Sequence, residues 1–97
     1  MTIEKTISGT ELNLKVIGRL DTTTAPQLET EVKELNNVTK LYLDFEELEY
    51  LSSAGLRVIL AAQKTMSKCG EMIVKNVNET INEIFEVTGF IDILTIE

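Results

Sequence analysis

Along the chain the spacing of hydrophobic positions changes between two periods. Residues 3–8 read as a short strand, and Gly9-Thr10 as a turn. Residues 11–18, ELNLKVIG, alternate, with Leu12, Leu14 and Val16 on one face and Glu11, Asn13 and Lys15 on the other. That is the period of a half-buried strand. With so short a turn before it, the pair predicts an antiparallel hairpin. G-R-L-D at residues 18–21 closes the strand. Three threonines and Ala25-Pro26 follow, and Thr as N-cap with Pro in the first turn marks a helix start. Leu28, Val32 and Leu35 carry that helix to about residue 35, where the turn chemistry of Asn36-Asn37 ends it.

Residues 40–45, KLYLDF, are short and mostly apolar, which predicts a central strand buried on both sides. Residues 46–50 read as an acidic connector. From Ser53 the helical period returns through Leu56, Ile59, Leu60, Gln63 and Met66, ending near Cys69 with Gly70 just beyond. Residues 71–75, EMIVK, form the next strand. Asn78 caps a third helix with Ile81, Ile84 and Phe85 inward, Thr88-Gly89 ends it, and a last short strand falls within residues 93–96. The order β-β-α-β-α-β-α-β predicts an α/β fold: one domain over residues 1–97, built on a mixed sheet with right-handed parallel crossovers.

Composition narrows what such a domain does. Its 97 residues are enough for a core, and with 43% hydrophobic residues, 5% aromatics and no Trp that core is aliphatic. The net charge of −7 disfavours direct nucleic-acid binding, which needs cations against phosphates, and attachment to an anionic membrane surface. The charge permits a basic protein partner, but speaks first to solubility. The single cysteine, Cys69, precludes an internal disulfide and reads as a small, partly buried residue, in keeping with a reducing cytosol. No signal-peptide core opens the sequence, and its longest apolar run, residues 58–62, falls far short of a membrane span. The expectation is a cytoplasmic protein without membrane insertion.

The candidate chemistry lies in DFEELEYLSSAGLRVIL, residues 44–60, where a strand leads through the connector into a helix. In parallel α/β proteins, ligands and partners meet such strand ends. A hydrolase elbow would need G-x-S-x-G, and here the first glycine is missing. With no histidine in the chain, a Ser-His-Asp triad and the usual zinc sites are excluded. Glu46, Glu47 and Glu49, with Asp21 and Asp44, could hold Mg²⁺ or do acid–base work, but a glutamate cluster in a loop is ordinarily a solvated surface. No phosphate-binding loop occurs. The reading is therefore no enzyme, no catalytic residue, no metal and no cofactor. What remains is a hydroxyl at a helix N-terminus. Ser52 or Ser53 can cap the helix, or can accept a phosphate, which that helix end tolerates. The two roles are compatible.

G-R-L-D, followed some two dozen residues later by L-Y-L-D-F-x-x-L-x-Y-L-S-S-A-G-L-R-V-I-L, resembles the STAS domain, and within it the bacterial anti-sigma factor antagonists. The resemblance covers nearly the whole chain. It implies a phosphoprotein that, unphosphorylated, binds an anti-sigma factor serine kinase of the GHKL type and so frees a sigma factor for transcription. The kinase, using ATP and Mg²⁺, would phosphorylate one serine, and a PPM-type phosphatase would restore the active form. Position by position, the acceptor falls on Ser53, two residues before Gly55, with Ser52 as the alternative because relatives often carry Asp there. Asp21, Ser52, Ser53 and Gly55 would form the partner-binding surface. The alternative within the same resemblance is a STAS scaffold subunit of a lipid-transport or stress-sensing complex, in which the serine only caps the helix. Relatives often carry a further C-terminal helix, so weak self-association is also expected.

Overall fold

In the computed structural model, which describes residues 1–97, the elements are β1 (Thr2–Ser8), β2 (Glu11–Leu20), α1 (Ala25–Lys33), β3 (Lys40–Asp44), β4 (Leu48–Leu51), α2 (Ser53–Cys69), β5 (Glu71–Lys75), α3 (Glu79–Thr88), a 3₁₀ turn (Phe90–Asp92) and β6 (Thr95–Ile96). The sheet order is β1-β2-β3-β5-β6. Strand β1 runs antiparallel to β2, as the hairpin reading expects, and the other pairings are parallel. The α/β class and mixed sheet agree with the sequence reading, but the order gains a strand, β4, inside the expected acidic connector. Leu48 and Leu51 are buried while Glu49 and Tyr50 face out. The segment pairs with the far end of β2, which satisfies backbone groups that a loop would leave to water.

Strand β2 is thus shared. Its first five residues, Glu11 to Lys15, pair with β3, and its last three, Gly18 to Leu20, with β4. Gly18 does not close the strand as expected. It sits inside it at φ +100, beside a register shift between Gly18 and Arg19, where a bulge re-aims the chain.

The alternating face of β2 (Leu12, Leu14, Val16) joins Leu41, Leu43, Met72 and Val74 from β3 and β5 and the inner faces of all three helices in one cluster of 23 buried residues. On the opposite face, register aligns Lys15, Asp44 and Lys75 in one row and Asn13, Tyr42 and Ile73 in the next. No helix covers this side. Strand β3 is therefore not buried on both sides: Tyr42 is only half-buried, with the Lys40 and Lys75 ammonium groups 5.3 and 5.0 Å from its ring centre. Ile73 and Asp44 are the buried exceptions, and the Asp44 Oδ1 accepts from the Glu46 N–H at 3.1 Å and the Asn76 side-chain amide at 3.0 Å.

The helix ends follow their capping residues. Asn78 Oδ1 accepts from the Ile81 N–H at 2.9 Å, while its amide donates to the Leu48 carbonyl at 2.9 Å and ties α3 to β4. Gly89 takes the left-handed conformation after α3. The last strand is shorter than expected, because the chain coils at Phe90–Asp92 and turns Leu94 into the core before pairing. Cys69, expected partly buried, is exposed. No helix is long and apolar enough to cross a membrane.

Candidate functional site

The split pairing of β2 brings the G-R-L-D end and the double serine together. Leu20 lies in register with Leu51, and the Ser52 N–H donates to the Leu20 carbonyl at 2.9 Å. The loop after β2 and the start of α2 are therefore neighbours at the carboxyl end of parallel strands, the usual place for a binding surface.

The two serines differ. Ser52 is the N-cap of α2: its backbone is extended, and its Oγ accepts from the Gly55 N–H at 3.4 Å. Ser53 is the first residue of the helix, is exposed, and lies outside that cap. Its hydroxyl stands beside the unpaired N–H groups of a helix start, where a negative charge is favoured. Gly55 is buried, so it supports this surface from beneath. A Cβ there would lie 2.7 Å from Leu20 Cγ and 2.8 Å from Leu51 Cδ1, so only glycine lets α2 settle this closely on the ends of β2 and β4.

Asp21 anchors the neighbouring loop. Its Oδ1 accepts from the Thr23 hydroxyl at 2.7 Å, the Thr23 N–H at 3.0 Å and the Thr24 N–H at 3.2 Å. Thr24 is the N-cap of α1 by position, but its hydroxyl donates back to the Arg19 carbonyl at 2.7 Å. The threonine cap expected from the sequence is thus absent: no side chain caps α1, and Asp21 instead holds together the turn that precedes the helix. The Thr23 hydroxyl, helped by the backbone donors, holds the Asp21 carboxyl below its usual pKa of 3.8. Its stabilising contribution is present above that pH and lost as pH falls through the lower folded-state value. An Asp21→Asn variant should therefore melt below the parent at neutral pH, and the gap should close as the pH drops below 3.8. Thermal unfolding across a pH series checks this, and a gap that stays constant would remove Asp21's charge from the account.

Arg19 and Tyr50 were not among the residues picked out by sequence. They are register partners on the short β2–β4 ladder, and the Arg19 guanidinium stacks 4.2 Å over the Tyr50 ring. Arg19 Nε also lies 3.7 Å from Asp21 Oδ2. The only available signal was G-R-L-D itself, since the tyrosine's place depends on the unexpected strand. Beside them, a groove of about 240 Å³ runs between α1 and α2, lined in part by Thr22, Pro26, Glu29, Ala54 and Arg57. Glu46, Glu47 and Glu49 are exposed, Glu47 pairs with Lys15 at 2.8 Å, and no three carboxylates converge as metal ligands.

The STAS domain family model matches residues 2–97. The chain is 33% identical over 82 residues to BtrV of Bordetella bronchiseptica, described as a candidate anti-sigma factor antagonist, covering 81% of this chain and 71% of that one. It is 28% identical over 97 residues to the anti-sigma-B factor antagonist of Staphylococcus aureus, covering 97% of this chain and 90% of the relative. Its fold matches that of the Bacillus protein SpoIIAA. The unphosphorylated form gives a TM-score of 0.78 at 17% identity over 99% of this chain and 87% of that one. The phosphorylated form gives 0.78 at 18% identity over 99% and 91%.

Proposed function

The chain belongs to the STAS-domain family, among the anti-sigma factor antagonists, and on that premise we propose that it binds an anti-sigma factor serine kinase of the GHKL type through the Asp21–Ser53 surface. Phosphorylation of Ser53 by that kinase switches the binding off, and a PPM-type phosphatase restores it. The protein itself works as a regulatory binding module rather than an enzyme.

One observation carries the choice of residue: Ser52 is committed to capping α2, while Ser53 presents an exposed hydroxyl one position further on. Phosphorylating the cap would disturb the helix start. Phosphorylating its neighbour adds about −1.5 to −2 charges at a point where the helix end accepts them. The fold then stays intact and the change is felt by the partner. On the surface of a chain with net charge −7, close to an Asp21 held ionised, the added charge opposes any partner face shaped for the neutral hydroxyl.

The test is intact-mass analysis after incubation with an anti-sigma factor serine kinase of the GHKL type and Mg-ATP, followed by peptide mapping. A single phosphate on Ser53 is expected. A phosphate on Ser52 would reverse the assignment. No phosphate from a kinase active on its own substrate would favour a constitutive scaffold, with both serines serving only the helix end.

A further inference from the structure

We infer that Arg57 holds the phosphate once Ser53 is modified, an inference that rests on the Ser53 reading above. The modification transfers the terminal phosphoryl of ATP: a bond forms from Ser53 Oγ to phosphorus, the bond to the leaving ADP breaks, and the hydroxyl proton passes to a base on the kinase. The dianion left on Ser53 needs a counter-charge, and few cations stand near it.

The chain has only two arginines, Arg19 and Arg57, and both lie at the end of the domain that carries Ser53. Arg19 is already engaged, stacked on Tyr50 and facing Asp21. Arg57 is exposed, and the five salt bridges of the structure use other cations. It lies four residues beyond Ser53 on α2, so the two share a helix face. Helical side chains lean toward the N-terminus, so the longer C-terminal member reaches back over the shorter one. An anion placed N-terminal to a cation at this spacing is also the more favourable order.

The other charged groups facing this end do not displace Arg57. Glu29 shares the groove but is paired with Lys33 at 3.2 Å. Asp21 repels the phosphate and leaves it the more dependent on a cation. Guanidinium matches a phosphate with two parallel N–H donors, which a lysine does not offer.

The experiment installs phosphoserine at position 53 by genetic encoding, without any kinase. The second ionisation of the phosphate is then followed by ³¹P NMR in the otherwise unaltered chain, in Arg57→Gln and in Arg19→Gln. Removing Arg57 should raise that pKa by about half a pH unit, the scale of an exposed ion pair to a doubly charged group. Removing Arg19 should move it less. An unchanged titration in Arg57→Gln, or a larger shift in Arg19→Gln, overturns the inference. Because the phosphate is placed by the experimenter, either result leaves open to the mapping experiment whether a kinase selects Ser53.

Discussion

Ser53→Asp is expected to weaken binding to the anti-sigma kinase about ten- to a hundredfold, the scale of placing a charge against a face complementary to a neutral group. The substitution leaves the Ser52 cap and the Gly55 contact in place, and it puts a carboxylate where a helix N-terminus favours one. The fold should therefore hold, and the loss should appear in affinity alone. Ser53→Ala is the companion: because Ser53 lies outside the cap it should fold within about 0.5 kcal/mol of the parent, bind as tightly, and take up no phosphate at this position. Calorimetric titration of the three proteins against the kinase separates these effects. Equal affinity for the parent and Ser53→Asp would remove the charge switch.

Gly70→Ala is expected to cost about 2–3 kcal/mol, the upper part of the range for overpacking. Its φ of 171 is ordinary extended backbone, so conformation is not the obstacle. The obstacle is space. A Cβ at Gly70 would lie 2.6 Å from Thr39 C and 2.9 Å from Thr39 Cα, and these are backbone atoms that cannot swing aside. Relief requires parting the α2–β5 turn from the segment leading into β3. That strains the Glu71 N–H bond to the Thr39 carbonyl, 3.1 Å in the native packing. Urea unfolding should show a lower midpoint with an unchanged slope. A loss below about 0.5 kcal/mol would mean that the turn adapts more readily than this packing implies.

Much of the architecture was legible because periodicity is local. The alternation of β2 and the 3.6-residue recurrence of α2 reflect faces turned toward one core, and both elements lie where their patterns placed them. The strand at residues 48–51 was hidden for a physical reason. It is four residues long with only its end leucines buried, so it shows no period-two alternation, and what makes it a strand is the free end of β2 far upstream in sequence. The full length of β2 was obscured in the same way, since a glycine that usually punctuates a strand here sits in its interior.

The candidate site was legible in its residues but not in their division of labour. Asp21, Ser52, Ser53 and Gly55 do converge on one end of the sheet. Which serine caps is a local matter that two adjacent hydroxyls leave ambiguous, whereas that Gly55 acts from beneath and that Arg19 stacks on Tyr50 depend on contacts between segments about thirty residues apart. A single sequence carries no local record of such contacts.

The sharing of β2 between two partners has a consequence for how this surface can change over generations. The offset between the Asp21 loop and the start of α2 is set by the register that buries Leu12, Leu14, Val16 and Leu20, and a slip of one residue would turn that whole set outward. Selection on the core therefore holds the positions of the site in place without acting on the side chains displayed there. Those side chains are free to drift toward new partners, so a lineage of such proteins can acquire many separate specificities on one unvarying frame.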